Sequence, residues 1–225
     1  MKIDCANIPL KSFGKLMTVG KGKLFCPLAN LLSTGNKKLP HTTAIFNMAS
    51  AHNCPSLALG LCRAYSKGKH VCYAKRSELG YFIHVKPRRN KQKDFWLNNT
   101  AINFAWQFLL INALKELPWT ALRFNESGDF HTQECINKAE KIATILNRYG
   151  IKVYCYTARS DLDYSNIRHL IISGSGFQKV GITNIFRMVE DVKKECPKGW
   201  GICAGDCRIC NRCQIRGYKT VVARH

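Results

Sequence analysis

Between Ala121 and Ile172 the apolar positions change period several times, and each change marks an element. Ala121-Leu122-Arg123-Phe124 is a short, mostly apolar run that breaks at Ser127-Gly128-Asp129 and reads as a strand. From Thr132 to Tyr149 the apolar residues Cys135, Ala139, Ile142, Ala143 and Leu146 fall at helical spacing, and Gly150 stops them. The segment from Ile151 to Tyr156 reads as a second strand, ending at Ala158-Arg159-Ser160-Asp161. A short helical piece then leads to a third strand, Leu170-Ile171-Ile172, which ends in Ser173-Gly174-Ser175-Gly176-Phe177-Gln178. Strand, helix, strand, helix, strand predicts parallel strands with right-handed crossovers. The expected fold class is therefore α/β. A small or incomplete (β/α) barrel is the first choice, because the full eight-fold form usually takes about 250 residues and this chain has 225.

The first half is less periodic. Thr42 to Phe46 is the clearest strand, followed by a cysteine-bearing region, Cys54 to Cys72, and a basic stretch ending near Lys93. A long helix is expected from Asp94 to Leu117, where Phe95, Ile102, Trp106, Leu109, Leu110 and Leu114 approach helical spacing and Pro118 ends the run. This organisation suggests an α/β barrel-like domain over residues 1–190, with a basic, cysteine-bearing insert at 50–93. A cysteine-cluster metal module then occupies 191–225. The amino-terminal residues show no apolar signal-peptide core, and no apolar run is long enough to span a bilayer. A soluble intracellular protein without membrane contact is expected.

In that compartment, twelve cysteines point to metal, redox or catalytic use rather than disulfides. Cys207, Cys210 and Cys213 lie at strict two-residue gaps, a spacing that folds thiolates around one metal centre. Cys196 or Cys203 would complete four ligands, with His225 as a further candidate. The sparser group Cys54, Cys62 and Cys72 can take a four-iron iron–sulfur cluster with one iron left open, or zinc with His52 or His70 as a fourth ligand. Zinc and a four-iron cluster are thus the two candidate cofactors.

The formal charge of +21 favours a polyanionic partner. Arg63 to Lys93 holds ten Lys or Arg residues against one acid, Glu78, so the charge is clustered. Tyr65, Tyr73, Tyr81, Phe82 and His84 in the same stretch can stack on bases. Nucleic acid is the expected partner, DNA before RNA.

Three consecutive strands end in polar, glycine-bearing or acidic turns, where parallel α/β folds bind their ligands. Asp129 and Asp161 are the candidate catalytic carboxylates, and each is equally suited to capping the helix that follows. Arg123, Asn125, Ser127, Gly128, Arg159, Ser160, Gly174, Gly176 and Gln178 are the candidate substrate contacts. Among them Arg123 suits a phosphate or carboxylate.

Several of these segments together resemble a phage family of cysteine-rich proteins named after mycobacteriophage gene product 88. The matching pieces are Cys54-Pro55, Cys72-Tyr73-Ala74, the run Arg123 to Phe130, the run Tyr156 to Leu162, and Cys196-Pro197 followed by Cys207, Cys210 and Cys213. The resemblance implies a phage origin, a paired cysteine layout and the cytoplasm of an infected bacterial cell. Two enzyme classes share parts of the pattern. Ser127-Gly128-Asp129 resembles the strand-end glycine–acid turn of radical S-adenosylmethionine enzymes, which use a partial barrel and a three-cysteine cluster. Ser173 to Gln178 is similar to a turn of guanine-exchanging transglycosylases, whose phage relatives place 7-deazaguanines in DNA. The leading expectation is a phage metalloenzyme that modifies or exchanges a nucleic-acid base. In it Asp129 or Asp161 attacks the sugar carbon, and the target base leaves the duplex stack. The alternatives are a radical S-adenosylmethionine-like iron–sulfur enzyme, with that cofactor, and a non-catalytic zinc-stabilised nucleic-acid-binding protein.

Overall fold

A computed structural model describes residues 26–62, 65–66, 69–70, 72–80 and 83–223. Tyr81, Phe82 and His225 lie outside the described residues, as do the side chains of Tyr65, His70 and Tyr73. In chain order the first strands are β1 (Ser33–Thr34) and β2 (Thr43–Phe46), followed by helix α1 (Pro55–Ala58) and a small hairpin, β3 (Tyr65–Ser66) and β4 (Lys69–His70). Helices α2 (Tyr73–Leu79), α3 (Val85–Asn98) and α4 (Ala101–Ala113) lead to β5 (Ala121–Phe124), α5 (Gln133–Asn147) and β6 (Lys152–Thr157). The chain ends with β7 (Ile171–Ser175), β8 (Asn184–Val189), α6 (Val192–Glu195), β9 (Gly201–Ile202) and β10 (Lys219–Ala223).

Eight strands form one sheet in the order β1-β2-β5-β6-β7-β8-β10-β9, and every neighbouring pair is parallel except β1 with β2. Strand alternation decides what each face carries. Leu122, Phe124, Val153, Cys155 and Ile172 point into the main core beneath α4 and α5. Ala121, Tyr154 and Ile171 point the other way, where Cys213 packs on them. Burial on both faces explains why these strands read as almost continuous apolar runs. Phe46, Trp96, Phe104 and Phe124 form an aromatic cluster at one end of the core, with ring centroids 5.0 to 6.3 Å apart. Helix α5 buries Cys135, Ile136, Ala139, Ile142, Ala143 and Leu146, the stripe that its sequence period predicts.

The architecture is α/β, but the sheet does not close into a barrel: β1 and β9, two residues each, stand at its edges. A closed barrel needs a helix after each strand to build the outer ring. Here β7 passes to β8 through a turn, and β9 passes to β10 through a loop with a single 3-10 turn. The expected boundary between residues 190 and 191 is crossed by the sheet, since β10 pairs with β8 along five residues. The single helix expected from Asp94 to Leu117 is two helices. Asn99 is extended, and Thr100 caps α4 by accepting a hydrogen bond from the Asn103 amide at 3.1 Å. The helical piece expected before β7 is a run of turns without a helix. The carboxylate of Glu140 on α5 pins it by accepting from the amides of Arg168, His169 and Leu170. No described helix is long and apolar enough to cross a membrane.

Candidate strand-end site and cysteine clusters

The site begins where β2, β5 and β6 end side by side. Asn125 leaves β5 in the left-handed region (φ 58), which Asn tolerates better than most residues, and its amide donates to Phe46 O at 3.1 Å. The Ser127 amide donates to Asn47 Oδ1 at 2.7 Å, so the turns after β2 and β5 are clasped together. Gly128 has φ 76, and a Cβ there would meet backbone of Ala49 at 2.6 Å. Only glycine lets the two turns approach this closely.

That approach delivers Asp129 into the core, where it is 4% exposed. Oδ2 accepts from the Ser56 hydroxyl at 2.6 Å and from the Ala158 amide at 2.8 Å. Oδ1 accepts from the Thr157 hydroxyl at 2.7 Å and from the Phe130 amide at 2.9 Å. Burial raises its carboxyl pKa above the ordinary value, while the four donated hydrogen bonds act in the opposite direction. Four donors occupy about all the acceptor sites of a carboxylate.

Beside it lies the first cysteine group. Cys54 caps α1 and Cys72 caps α2, both with extended backbone. Cys62 donates its amide to Ser56 O at 3.0 Å, so Ser56 ties the loop to Asp129 through its side chain and to Cys62 through its carbonyl. Between Cys62 and Cys72 the β3–β4 hairpin pairs Tyr65 with His70 and folds the chain back on itself. A nine-residue gap in sequence therefore becomes a short distance in space. Burial pushes the Cys54 thiol up to about 12, with Asp129 adding to it. Burial, then Cys72 and Asp129, push Cys62 up to about 11. The lone acid of the basic stretch, Glu78, holds this assembly from behind. It accepts from the Ala51 amide at 2.8 Å and pairs with Arg89 at 2.9 Å, both side chains being less than one-tenth exposed. Sequence reasoning missed Ser56, Asn47 and Glu78 as site-building residues. An isolated acid amid ten cations was the available signal for Glu78.

Asp161 sits differently. Arg159, 5% exposed, makes a two-pronged contact to it, Nε to Oδ1 and Nη2 to Oδ2, each at 2.8 Å. The same guanidinium donates to the carbonyls of Phe130 and His131. Hydrogen bonding from Arg159 holds the Asp161 carboxyl below its usual range. The two aspartates are thus linked through Arg159, which interacts with both, and share no hydrogen bond of their own. Ser160 closes the turn through its amide to Ala158 O at 2.8 Å. Gly174 lies in β7 and Gly176 in the turn that follows it: a Cβ on Gly174 would meet Phe177 O at 2.4 Å, and Gly176 has φ 81. Gln178 donates to Ile182 O at 3.1 Å within the same turn.

Two polar residues at the end of β5 stand out. Asn125 and Ser127 are 5% and 2% exposed, yet Asn125 Nδ2 and Oδ1 and Ser127 Oγ make no hydrogen bond to any described residue. Arg123, expected to face a substrate phosphate, instead lies on the second face of the sheet with its guanidinium 5.3 Å from the Tyr156 ring centroid. There it interacts with Cys207 and Cys213. Cys203, Cys207, Cys210 and Cys213 line one hollow above it. Cys196 stands apart, its sulfur directed at the carbonyls of Pro197 and Trp200. Among the described residues no three His, Cys, Asp or Glu side chains form a ready-made ligand shell. Of the expected basic surface, Arg89 is buried and Arg88 donates to Leu32 O at 2.8 Å, so two of its cations serve the fold.

A comparison with family models matches residues 26–177 to the one described as Gene product 88. The match covers the strand-end turns and the first cysteine group and stops before the C-terminal cysteines. No curated protein and no solved structure matches the chain.

Proposed function

The chain belongs to the Gene product 88 family, and from that premise we propose that it is an iron–sulfur enzyme of the radical S-adenosylmethionine type acting on nucleic acid. One observation carries the reading. The loop bearing Cys54, Cys62 and Cys72 follows the first parallel strand and is fastened by Ser56 to the glycine–acid turn of the next strand. Three soft thiolates suit a four-iron cluster and leave its fourth iron open. Their spacing is wider than the short triad of that enzyme class, and the β3–β4 hairpin offsets the difference by folding Cys72 back toward Cys62. Bound there, such a cluster would supply an electron to a sulfonium ligand at the open iron. Asn125 and Ser127 are polar groups at the strand end suited to hold that ligand, since buried donors and acceptors without partners among the described residues call for an external one. Asp129 acts as a positioning residue: the bond from Ser56 fixes the cysteine loop, those from Phe130, Thr157 and Ala158 fix the carboxylate, and the four together occupy its acceptor sites. That is why base exchange through Asp129 or Asp161 ranks below this reading. The net charge of +21 supports a nucleic-acid substrate through phosphate contacts.

The test is anaerobic reconstitution of the full chain with iron and sulfide, followed by reduction in the presence of S-adenosylmethionine. A brown protein that releases 5′-deoxyadenosine, with release abolished in Cys54→Ser, Cys62→Ser and Cys72→Ser, is expected. A colourless protein that takes up no iron would overturn the assignment. It would leave the non-catalytic binding reading, recognised by salt-dependent DNA or RNA binding alone.

A further inference from the structure

The first part of the crossover from β9 to β10, up to Cys213, has almost no regular structure of its own. A parallel connection in a sheet is usually built on a helix. Here residues 203–218 contain only a 3-10 turn, Arg212–Gln214, and their large apolar side chains, Ile209 and Ile215, are 82% and 40% exposed. Residues 215–218 are tied to Thr183, Asn184 and the turn before β7 by hydrogen bonds, and the part before them is fixed at three places. The Cys203 amide donates to Val221 O at 2.8 Å, and the Cys207 amide donates to Lys38 O at 2.8 Å. Cys213 sits on the second face of the sheet against Ala121, Tyr154 and Ile171. Each anchor point of that earlier part is a cysteine.

We propose that Cys203, Cys207, Cys210 and Cys213 bind a single zinc ion in a closed four-sulfur site, which staples the crossover onto the open face of the sheet. The four line one hollow of about 20 Å³. That volume is on the scale of one or two water-sized spheres, which suits a single ion. The acid that also lines the hollow, Asp206, is already engaged: Arg208 donates to it from Nε at 2.8 and 3.1 Å. The donor set is then all sulfur, which suits tetrahedral zinc. Cys196, which the spacing alone left equal to Cys203 as the fourth ligand, does not line this hollow, and its sulfur faces the carbonyls of Pro197 and Trp200. Four thiolates around one Zn²⁺ carry a net charge of −2, and the sheet supplies compensation from below. Tyr156 donates its hydroxyl to Cys213 Sγ at 2.6 Å, and Arg123 interacts with both Cys207 and Cys213. Tyr156 and Arg123 are positioning residues for this metal, as hydrogen-bonded partners behind ligands commonly are. The site is separate from the strand-end cysteines and does not rest on the radical-enzyme reading.

Two measurements on the full chain test the proposal. The first is metal content of the Cys54→Ser/Cys62→Ser/Cys72→Ser variant, expected at about one zinc per chain for a four-thiolate structural site. The second is X-ray absorption at the zinc edge of the unsubstituted protein, which needs no variant to fold. It should show sulfur at about 2.3 Å. Cys203→Ser should lose zinc or exchange one sulfur for oxygen, whereas Cys196→Ser should keep four sulfurs. Tyr156→Phe should retain the metal but release it to a chelator roughly tenfold faster, in line with the loss of a partner behind a ligand. Iron and sulfide retained at this site in the triple variant would overturn the proposal. So would a zinc shell unchanged by Cys203→Ser or one disrupted by Cys196→Ser.

Discussion

Ser56 donates its hydroxyl to Asp129 across 73 positions of sequence, at 2.6 Å and out of solvent. This one bond joins the cysteine loop to the strand-end turn, and the positioning role proposed for Asp129 rests on it. Removing it by Ser56→Ala leaves a buried carboxylate oxygen one donor short, at a cost of about 1–3 kcal/mol. Asp129→Asn is expected to cost at least as much, because an amide nitrogen would face one of the amides of Phe130 and Ala158. The thiols of Cys54 and Cys62 should then react faster with a disulfide reagent. Unchanged thiol reactivity with lost activity would instead mark Asp129 as a participant in the chemistry.

Glu78 and Arg89 form the other concealed link. Glu78→Gln leaves the Arg89 guanidinium buried without its counter-charge and should destabilise the fold by about 3–5 kcal/mol. Replacing both residues, Glu78→Gln with Arg89→Met, should recover a good part of that loss. Denaturant unfolding of the two variants measures the difference. Equal stability of the single and double variants would show that the buried charge is not the cause.

Strands β2, β5, β6 and β7 and helix α5 were legible from their apolar periods, whereas β8 and β10 were not read, and the strand-end turns were legible because Gly128, Asp129 and Asp161 punctuate them. The roles of those residues were not, since hydrogen-bond partners such as Ser56, Thr157 and Arg159 are set by tertiary approach rather than by spacing. The same limit applies to the C-terminal cysteines. Spacing marked Cys207, Cys210 and Cys213 as candidate ligands, but only the fold shows that Cys203, and not Cys196, lines one hollow with them. The open sheet was also illegible, because β9 is too short to leave a periodic trace and its pairing with β10 is held through a loop.

Gly128 gives a sharp backbone test. Alanine there is strained twice, by φ 76 and by a Cβ placed 2.6 Å from the Ala49 backbone. Gly60 has a similar φ of 69 with nothing within 4 Å of its Cβ position. Gly60→Ala should therefore cost only the left-handed penalty, about 1–2 kcal/mol, and Gly128→Ala distinctly more, with separation of the clasped turns. Thermal unfolding of the pair compares them directly, and equal losses would refute the close-approach argument.

The Arg159–Asp161 pair predicts how the protein responds to acid. Hydrogen bonds from Arg159 lower the Asp161 pKa in the folded state, so folding favours the ionised carboxylate. The stability this provides is present above the unfolded value, near 3.9. It is lost as pH falls through the lower folded value. Protonation also strands Arg159, which is 5% exposed and holds the carbonyls of Phe130 and His131 next to Asp129. Asp161→Asn should accordingly be less stable than the unsubstituted chain at neutral pH, and the gap should narrow as the pH drops below about 4. Stability curves against pH for the two proteins give the comparison, and a gap that stays constant down to the lowest pH would contradict the assigned role of the pair.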